Sequence, residues 1–327
     1  MTSSLTRTAL LLTLVAACGP VAPGADEEGA PADGKADIAG FEGSGDDAPL
    51  PSEDHPDTVD VGSWNLAWYG DDWKGPDDDA LQQHNVARVL SETDLDLVGL
   101  VEVVSADAFD RLLDEMPDHD GLLVTDPRVA GGADYYADGE QKVALVHHRR
   151  FTVESARVIL TDATWDFAGR PPLEVSLSFE EDGAPRTLVL VVAHFKAMAN
   201  QEGYERRLAA AAALHDYLDA EHAGRWVLVV GDLNDDIDDS TYWGHPSPFA
   251  QLVDDPDYRF TTDALSEDGV ATTVRYPATI DHHLATDVLS WRFVEGSAEV
   301  LPLDEDIADY GDTTSDHFPV ISRYDLR

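Results

Sequence analysis

The stretch Trp226-Val-Leu-Val-Val-Gly-Asp-Leu-Asn234 shows the pattern on which the fold prediction depends. Its five leading apolar residues predict a short core strand, and a carboxylate and an amide follow directly after it. A carboxylate at the end of a buried strand costs several kcal/mol unless it is paired or binds a metal. We therefore interpret Asp232 and Asn234 as functional residues rather than packing residues.

Five other places show the same combination. In each, an apolar run adjoins or contains a polar residue that is costly to bury in a core. They are Trp64-Asn65, Glu102 within residues 98–103, His194-Phe195-Lys196, Ile280-Asp281-His282 and Ser315-Asp316-His317. Packing alone is a poor explanation for six such positions in one chain, because each carries the same desolvation cost. The pattern indicates that polar residues at strand ends carry the chemistry of this protein.

The segments around these positions predict an α/β body. Residues 58–68 and 95–104 have the composition of strands, and residues 78–91 between them show a helical spacing of apolar residues. Residues 173–194 contain two strand-like runs around a turn signal, and residues 204–222 form the clearest helical segment. Strands that first alternate with helices and then pair directly suggest mixed sheets.

Composition and charge exclude several classes of protein. The chain has 327 residues, of which 43% are hydrophobic, so it can bury a core and is not a wholly disordered acidic protein. Its 21 basic and 65 acidic residues give a net charge of −44, which argues against a broad basic surface for gripping nucleic-acid phosphates. A single cysteine excludes an intramolecular disulfide and a cysteine-cluster metal site.

The N-terminal residues 1–18 have the pattern of an export signal. Arg7 precedes an apolar run over residues 9–17, which is too short to span a bilayer because a span needs roughly 20 residues. The sequence Leu14-Val-Ala-Ala-Cys18 resembles a bacterial lipobox, in which the cysteine is lipidated and becomes the new N-terminus. We expect a lipoprotein signal peptide and an exported protein anchored at Cys18 to the outer membrane or cell surface. The alternative is an ordinary secreted protein with a coincidental cysteine.

Residues 19–57 predict a disordered acidic linker. They are rich in Gly, Pro, Ala, Asp and Glu, and residues 26–54 hold ten acidic residues and one lysine. Repulsion between like charges and low hydrophobicity favour an extended chain. The folded domain is therefore expected to cover residues 58–327.

The polar residues at the strand ends form a chemically coherent set. Those with oxygen ligands suit hard cations such as Mg²⁺ or Mn²⁺, and they are Asn65, Glu102, Asp232, Asn234 and Asp316. His194 and His317 are then free to act on protons or to stabilise charge. Asp281 is available to orient His317 in a carboxylate–imidazole pair, which fixes the tautomer and raises the basicity of the ring.

The six motifs, in this order, resemble the endonuclease/exonuclease/phosphatase superfamily over residues 58–327. This superfamily includes deoxyribonuclease I, apurinic endonucleases, bacterial sphingomyelinases and inositol-polyphosphate phosphatases. The resemblance implies a four-layer α/β sandwich with two packed mixed β-sheets, in which the site lies where the strand ends meet.

The resemblance also implies metal-binding roles. Glu102 matches the principal metal ligand, and Asn65 and Asp316 match residues that help to complete the metal shell. Asp232 matches the residue that positions or deprotonates the attacking water, and Asn234 matches its partner.

Further roles concern the phosphate. His317, oriented by Asp281, matches the imidazole next to the attacked phosphate, and His194 matches a second histidine that donates to a phosphate oxygen. Arg170 resembles a family arginine that precedes a strand, and it is either a phosphate contact or a solvated loop charge.

The expected function is that of an exported Mg²⁺- or Mn²⁺-dependent phosphoesterase that hydrolyses phosphate esters by in-line attack of water. A monomeric nuclease or phosphodiesterase with a nucleic-acid substrate is the preferred hypothesis. Two alternatives stay open: a phospholipid or phosphate-monoester hydrolase, and a non-catalytic binding lipoprotein. The filled catalytic positions argue against the last.

Two local features allow more than one interpretation. The acidic residues 232–238 superficially resemble a calcium loop but lack its glycine and its final glutamate, so a structural Ca²⁺ is only an alternative to a solvated loop. Arg206 and Arg207 occupy a helix position where family members often carry arginine. Surface pairing with Glu202 or Glu205 explains them equally well.

Overall fold

The computed structural model describes residues 50, 52, 55, 58–181 and 183–327, and the statements below concern these residues. The predicted signal peptide, Cys18 and nearly all of the predicted linker lie outside them. Leu50 is buried in an apolar cluster with Val86 and Leu90, and its N–H donates to Glu92 at 2.5 Å. Contacts with the folded domain therefore begin before residue 58. Among the described residues, no helix has both the length and the apolar character needed to cross a bilayer.

The strands of the described chain form two sheets, of six and seven strands. The first sheet contains β1 (Val59–Tyr69), β2 (Leu97–Val103), β3 (His119–Leu123), β5 (Lys142–His148), β12 (Glu299–Val300) and β13 (Val320–Tyr324). The second sheet contains β4 (Val129–Ala130), β6 (Thr152–Val158), β7 (Leu173–Glu181), β8 (Ala184–His194), β9 (Val227–Asp232), β10 (Tyr258–Phe260) and β11 (Asp281–Thr286).

The helices of the described chain range from one turn to six turns. They are α1 (Asp79–Thr93), α2 (Ala106–Asp114), α3 (Gly132–Tyr135), α4 (Gln201–His222), α5 (Ala250–Asp254), α6 (Asp263–Glu267), α7 (Asp287–Ser290) and α8 (Tyr310–Thr313), with a 3₁₀ turn at Thr161–Ala163. Asp78 caps α1 by accepting from the N–H of Leu81 at 3.0 Å, and Asn200 caps α4 by accepting from Gly203 at 2.8 Å.

Both sheets are mixed, as predicted. The first has the order β12-β13-β1-β2-β5-β3, in which β1 and β2 are parallel because α1 connects them. The second has the order β10-β11-β9-β8-β7-β6-β4, in which β8 and β9 are parallel and connected by α4. The predicted hairpin joins β7 to β8 and turns through Gly183, whose φ is +74°.

The two sheets pack face to face between two helical layers. Val61 and Val101 of the first sheet share one buried cluster with Val192 and Val230 of the second. The backbones approach closely at Gly99, where an added Cβ would lie 2.6 Å from a methyl group of Val230. The outer face of the first sheet packs against α1 and α2, and that of the second packs against α4. The predicted four-layer α/β sandwich is therefore confirmed.

Candidate active site

The candidate site lies where strands of both sheets end at one edge. Asn65 belongs to β1 and Glu102 lies next to the end of β2, while His194 and Asp232 are the last residues of β8 and β9. Parallel neighbours carry their carboxyl ends to the same edge, which brings each pair together. Asp281 begins the antiparallel strand β11 and lies directly opposite Asp232 in the register.

The loop that carries His317 is fastened to the first sheet by hydrogen bonds. Ser315 donates from its hydroxyl to the carbonyl of Asn65 at 2.6 Å and accepts from the N–H of His317 at 3.0 Å. The carbonyl of His317 accepts from the indole of Trp64 at 3.0 Å and from the hydroxyl of Tyr310 at 2.6 Å. This backbone is thus fixed on both sides of the imidazole.

These residues line a cleft of about 800 Å³. Eight of the predicted site residues within the described chain contribute to its walls: Asn65, Glu102, Arg170, His194, Asp232, Asn234, Asp316 and His317. The ninth, Asp281, lies behind His317 and contacts its ring. All nine therefore belong to one constellation, although they come from separate parts of the sequence.

The buried Asp232 and the partly buried Glu102 form the acidic centre of the cleft. The side-chain amide of Asn65 donates to Oε1 of Glu102 at 3.3 Å and to Oδ2 of Asp232 at 3.0 Å. Glu102 has a left-handed backbone with φ of +62°, and its Oε2 accepts from the N–H of Trp68 at 3.1 Å. A non-glycine residue in this region is strained, and such strain concentrates at functional sites.

The electrostatics of this centre favour a bound cation. Burial raises the pKa of Glu102, and burial together with the charge of Asp281 raises the pKa of Asp232 to about 7. A divalent cation would reverse these shifts because it favours the charged carboxylates. The oxygen-rich set of Glu102, Asn65 and the exposed Asp316 fits Mg²⁺ or Mn²⁺.

A second grouping lies beside the first. In the described part of the chain, Asp232, Asp281 and His317 form the one acidic and histidine group whose ligand atoms all lie within 4.8 Å of one another. The carboxylates of Asp235 and Asp236, in the loop considered for Ca²⁺, instead accept hydrogen bonds from protein groups. The structural Ca²⁺ stays a prediction.

The two histidines of the cleft have opposite electrostatic environments. Nδ1 of His317 donates to Oδ2 of the fully buried Asp281 at 2.8 Å. Burial alone would lower the pKa of His317, but the carboxylates of Asp281 and Asp232 raise it to about 10. Burial and the positive charge of Arg170 hold the pKa of His194 well below its usual value. His317 is therefore a cation at neutral pH, whereas His194 is neutral.

Each histidine faces the acidic centre through Nε2. Nε2 of His194 lies 3.7 Å from Oε1 of Glu102 and 3.6 Å from Oδ2 of Asp232. Nε2 of His317 lies 3.9 Å from the same Asp232 oxygen. Nδ1 of His194 is buried without a hydrogen-bond partner among the described residues.

Arg170 belongs to the wall of the cleft rather than to a solvated loop. Its guanidinium donates to the side chain of Gln141 through Nη1 and to the carbonyl of Phe195 at 3.0 Å through Nη2. Its buried Nε has no partner among the described residues. Asn234 also donates to the carbonyl of Phe195, at 3.2 Å, and its N–H donates to Oδ1 of Asp232 at 2.8 Å.

Several residues of the cleft were not predicted. Gln141 and Arg275 line it, and Gln141 supports Arg170. The position of Gln141, a polar residue directly before an apolar strand, was the available signal. Arg206 pairs with Glu202 at 3.2 Å, as one interpretation expected, but Arg207 is fully buried and pairs elsewhere.

The chain is similar to known proteins in both sequence and fold. The model of the Endonuclease/Exonuclease/phosphatase family matches residues 62–317. Among solved structures, D. rerio TDP2 complexed with a single-strand DNA product has 14% identity and a TM-score of 0.59, over 82% of this chain and 98% of that one. The human Nocturnin catalytic domain with bound sulfate has 18% identity and a TM-score of 0.54, over 85% and 96%.

A third solved structure covers the chain equally well. An AP endonuclease from Archaeoglobus fulgidus has 14% identity and a TM-score of 0.54, over 82% of this chain and 100% of that chain. Because the sequence identities are this low, the similarity to these three structures concerns the fold alone. No curated protein matches the sequence.

Proposed function

Because the chain belongs to the Endonuclease/Exonuclease/phosphatase family, which groups phosphoric ester hydrolases of nuclease and phosphodiesterase type, we propose that it hydrolyses a nucleic-acid phosphodiester with Mg²⁺ or Mn²⁺. One observation carries the proposal. In the cleft, the side-chain amide of Asn65 donates to both Glu102 and Asp232. The carboxylate of Asp232 also faces His317, whose ring is paired with Asp281.

The metal would be held by Glu102, with Asn65 and Asp316 beside it. When bound, the cation neutralises the charge that develops on the phosphate oxygens. The strained backbone of Glu102 and the hydrogen bond from Trp68 orient this carboxylate before any ligand arrives. Such preorganisation lowers the cost of reorganising the site during reaction.

The proton of the attacking water goes to Asp232 in this proposal. A bound cation would favour the charged form of this carboxylate, which is the form that accepts a proton. The N–H of Asn234 occupies Oδ1 of Asp232, while Oδ2 faces both histidines. The asymmetry leaves one oxygen directed at the reacting centre.

The histidines then act on the phosphate. The protonated ring of His317 donates through Nε2 to a phosphate oxygen while Asp281 holds Nδ1. The neutral ring of His194 donates a second hydrogen bond. Arg170 adds a positive charge in the wall of the cleft, which favours an anionic substrate.

A metal-dependent activity assay on the full-length chain tests the proposal. Plasmid DNA, RNA, a bis-aryl phosphodiester and sphingomyelin would each be incubated with chelator, Mg²⁺, Mn²⁺ or Zn²⁺. We expect hydrolysis of the nucleic acids or the bis-aryl diester with Mg²⁺ or Mn²⁺, and its loss with chelator. Activity in the presence of chelator, or with Zn²⁺ alone, would contradict the assignment of an oxygen-ligand site.

Exposed tryptophans favour a second candidate, phospholipid hydrolysis. Trp73 is 93% exposed and lies two residues before Gly75, which lines the cleft, and Trp243 is 94% exposed. Tryptophan side chains suit a lipid interface because they combine an apolar body with a polar N–H. Hydrolysis of sphingomyelin vesicles faster than of DNA would favour this candidate.

We also propose that the protein is exported and anchored as a lipoprotein through Cys18, with the acidic segment that follows Cys18 as its tether. The lipobox-like sequence and the acidity of the tether support this. Cys18→Ser should release the protein from the membrane fraction. Unchanged membrane retention, with no lipid on the native protein by mass spectrometry, would contradict the proposal.

A further inference from the structure

A second cavity of about 250 Å³ adjoins the catalytic cleft, and we call it the side pocket. It shares Asn234, Asp316, His317 and Arg275 with the cleft. Its remaining walls consist of Met198, Ala199, Thr241, Thr273, Tyr276 and Ile280. Any phosphate that reaches His317 therefore lies next to this pocket.

Met198 has a backbone that bulky residues rarely adopt. Its φ is +89°, and the residue is 62% exposed and lines the pocket. Its carbonyl accepts from the N–H of Asn200 at 2.9 Å and from Nη1 of Arg207 at 3.0 Å, which holds the strained turn. Strain of this kind persists only where the surroundings enforce it, and it concentrates at ligand contacts.

The fully buried Arg207 fixes two walls of the side pocket at once. Its Nη1 also donates to the carbonyl of Lys196 at 2.7 Å, and its Nε donates to Oδ2 of Asp235 at 2.8 Å. Asp235 in turn accepts from the N–H of Thr241 at 2.5 Å. One ion pair thus ties the loop after β8 to the loop after β9, so the pocket exists before a ligand binds.

The third wall supplies an aromatic ring beside a cation. Tyr276 is 45% exposed, and its backbone is held by Thr273, which accepts from the N–H of Tyr276 at 3.0 Å and donates to its carbonyl at 2.7 Å. Arg275 precedes it and lines both the side pocket and the cleft. With Met198 and Ile280 also in its walls, the pocket suits a flat apolar ring joined to a charged phosphate.

On the basis of the proposed function, we propose that the side pocket holds the nucleobase of a nucleotide next to the scissile phosphate. The pocket is smaller than the 300–1,000 Å³ typical of sites for drug-sized ligands, which fits one ring system. A base stacked there would also orient the phosphate toward His317. Stacking on an aromatic side chain tolerates different bases, because every base has a flat π-face.

The test compares a dinucleotide with two analogues in which one or the other base is replaced by hydrogen, using the full-length protein and Mg²⁺ or Mn²⁺. We expect kcat/KM for the dinucleotide to exceed that for one analogue by about fivefold or more, the low end of the effect of a base–aromatic stack. Tyr276→Ala should abolish this preference, and Tyr276→Phe should retain it because the ring remains.

Trp291→Ala is the matched control. Trp291 is an exposed aromatic residue beyond the far end of β11, whose first residue is Asp281, so its removal should leave the preference unchanged. Equal kcat/KM for all three substrates would overturn the side-pocket assignment and leave the proposed function standing. Loss of dihexanoylphosphatidylcholine hydrolysis in Tyr276→Ala, with the base preference intact, would assign the pocket to an acyl chain and overturn the inference. Cleavage of none of the diesters would overturn both proposals.

Discussion

Asp281→Asn is the sharpest perturbation of the site, because it preserves shape and removes one charge. Asp281 is fully buried, and its Oδ2 accepts from Nδ1 of His317 at 2.8 Å. Hydrogen bonds to charged groups contribute about 1.5–3 kcal/mol, so the free energy of unfolding at pH 7 should fall by about that amount. Turnover should fall at least about a hundredfold, as is typical when a positioned hydrogen-bond donor to the developing charge is lost.

The pH dependence of stability has a defined sign. The pKa of His317 is raised to about 10 in the folded protein, above its value of about 6.5 in the unfolded chain. The stabilisation is therefore complete below pH 6.5 and is lost as the pH rises toward 10. Urea unfolding of wild type and Asp281→Asn should show the largest difference near pH 6 and a smaller one near pH 10.

A double mutant and a matched control make this prediction refutable. Asp281→Asn combined with His317→Ala should be little worse in turnover than His317→Ala alone, because the two residues act as one unit. Glu174→Gln breaks another buried carboxylate–histidine pair, in which Nε2 of His222 lies 2.6 Å from Glu174, and should reduce stability without a comparable loss of turnover. If the two losses multiply, or if Asp281→Asn mainly weakens metal binding, Asp281 does not act by orienting His317.

Three further predictions concern other residues of the site and of the core. Glu102→Gln should weaken Mn²⁺ binding in isothermal titration calorimetry and lower turnover at least about a hundredfold, and unchanged Mn²⁺ affinity would contradict its role as the principal ligand. Arg207→Met should lower the free energy of unfolding by about 3–5 kcal/mol because it leaves the charge of Asp235 buried and unpaired, and a change below 1 kcal/mol would refute this. Gly99→Ala should cost about 1–3 kcal/mol in urea unfolding, because its Cβ would lie 2.6 Å from a methyl group of Val230, and a neutral result would mean that the sheets can separate locally.

Local sequence patterns predicted much of the fold because their signals are contained within short segments. The strand predicted over residues 58–68 agrees with β1 to within one residue at each end, and the helix predicted over 204–222 agrees with α4 except for its first turn. The short helices α5, α6, α7 and α8 have four or five residues each, too few for a helical period to emerge. Their positions are set by tertiary contacts.

The sequence by itself determined which residue types stand at the ends of the core strands. These motifs carried the family resemblance that implied the sandwich, and they predicted most of the polar residues of the cleft. The sequence did not determine the electrostatic environment of each of these residues. His194 and His317 are the same residue type after or before apolar runs, yet their pKa values shift in opposite directions. Only the folded chain puts Asp281, 36 residues away in sequence, against one ring and Arg170 near the other.

Arg206 and Arg207, adjacent in α4, also show what the sequence determines and what only the structure decides. Both were candidates for surface pairing, but consecutive helix positions point about 100° apart, and the sequence does not reveal which one faces inward. The structure turns Arg207 toward Asp235, Lys196 and Met198, and so builds the side pocket. Apolar spacing is a local property and can be read along the chain. The partner of a buried charge depends on which loops the packed sheets bring together, and that is decided only in three dimensions.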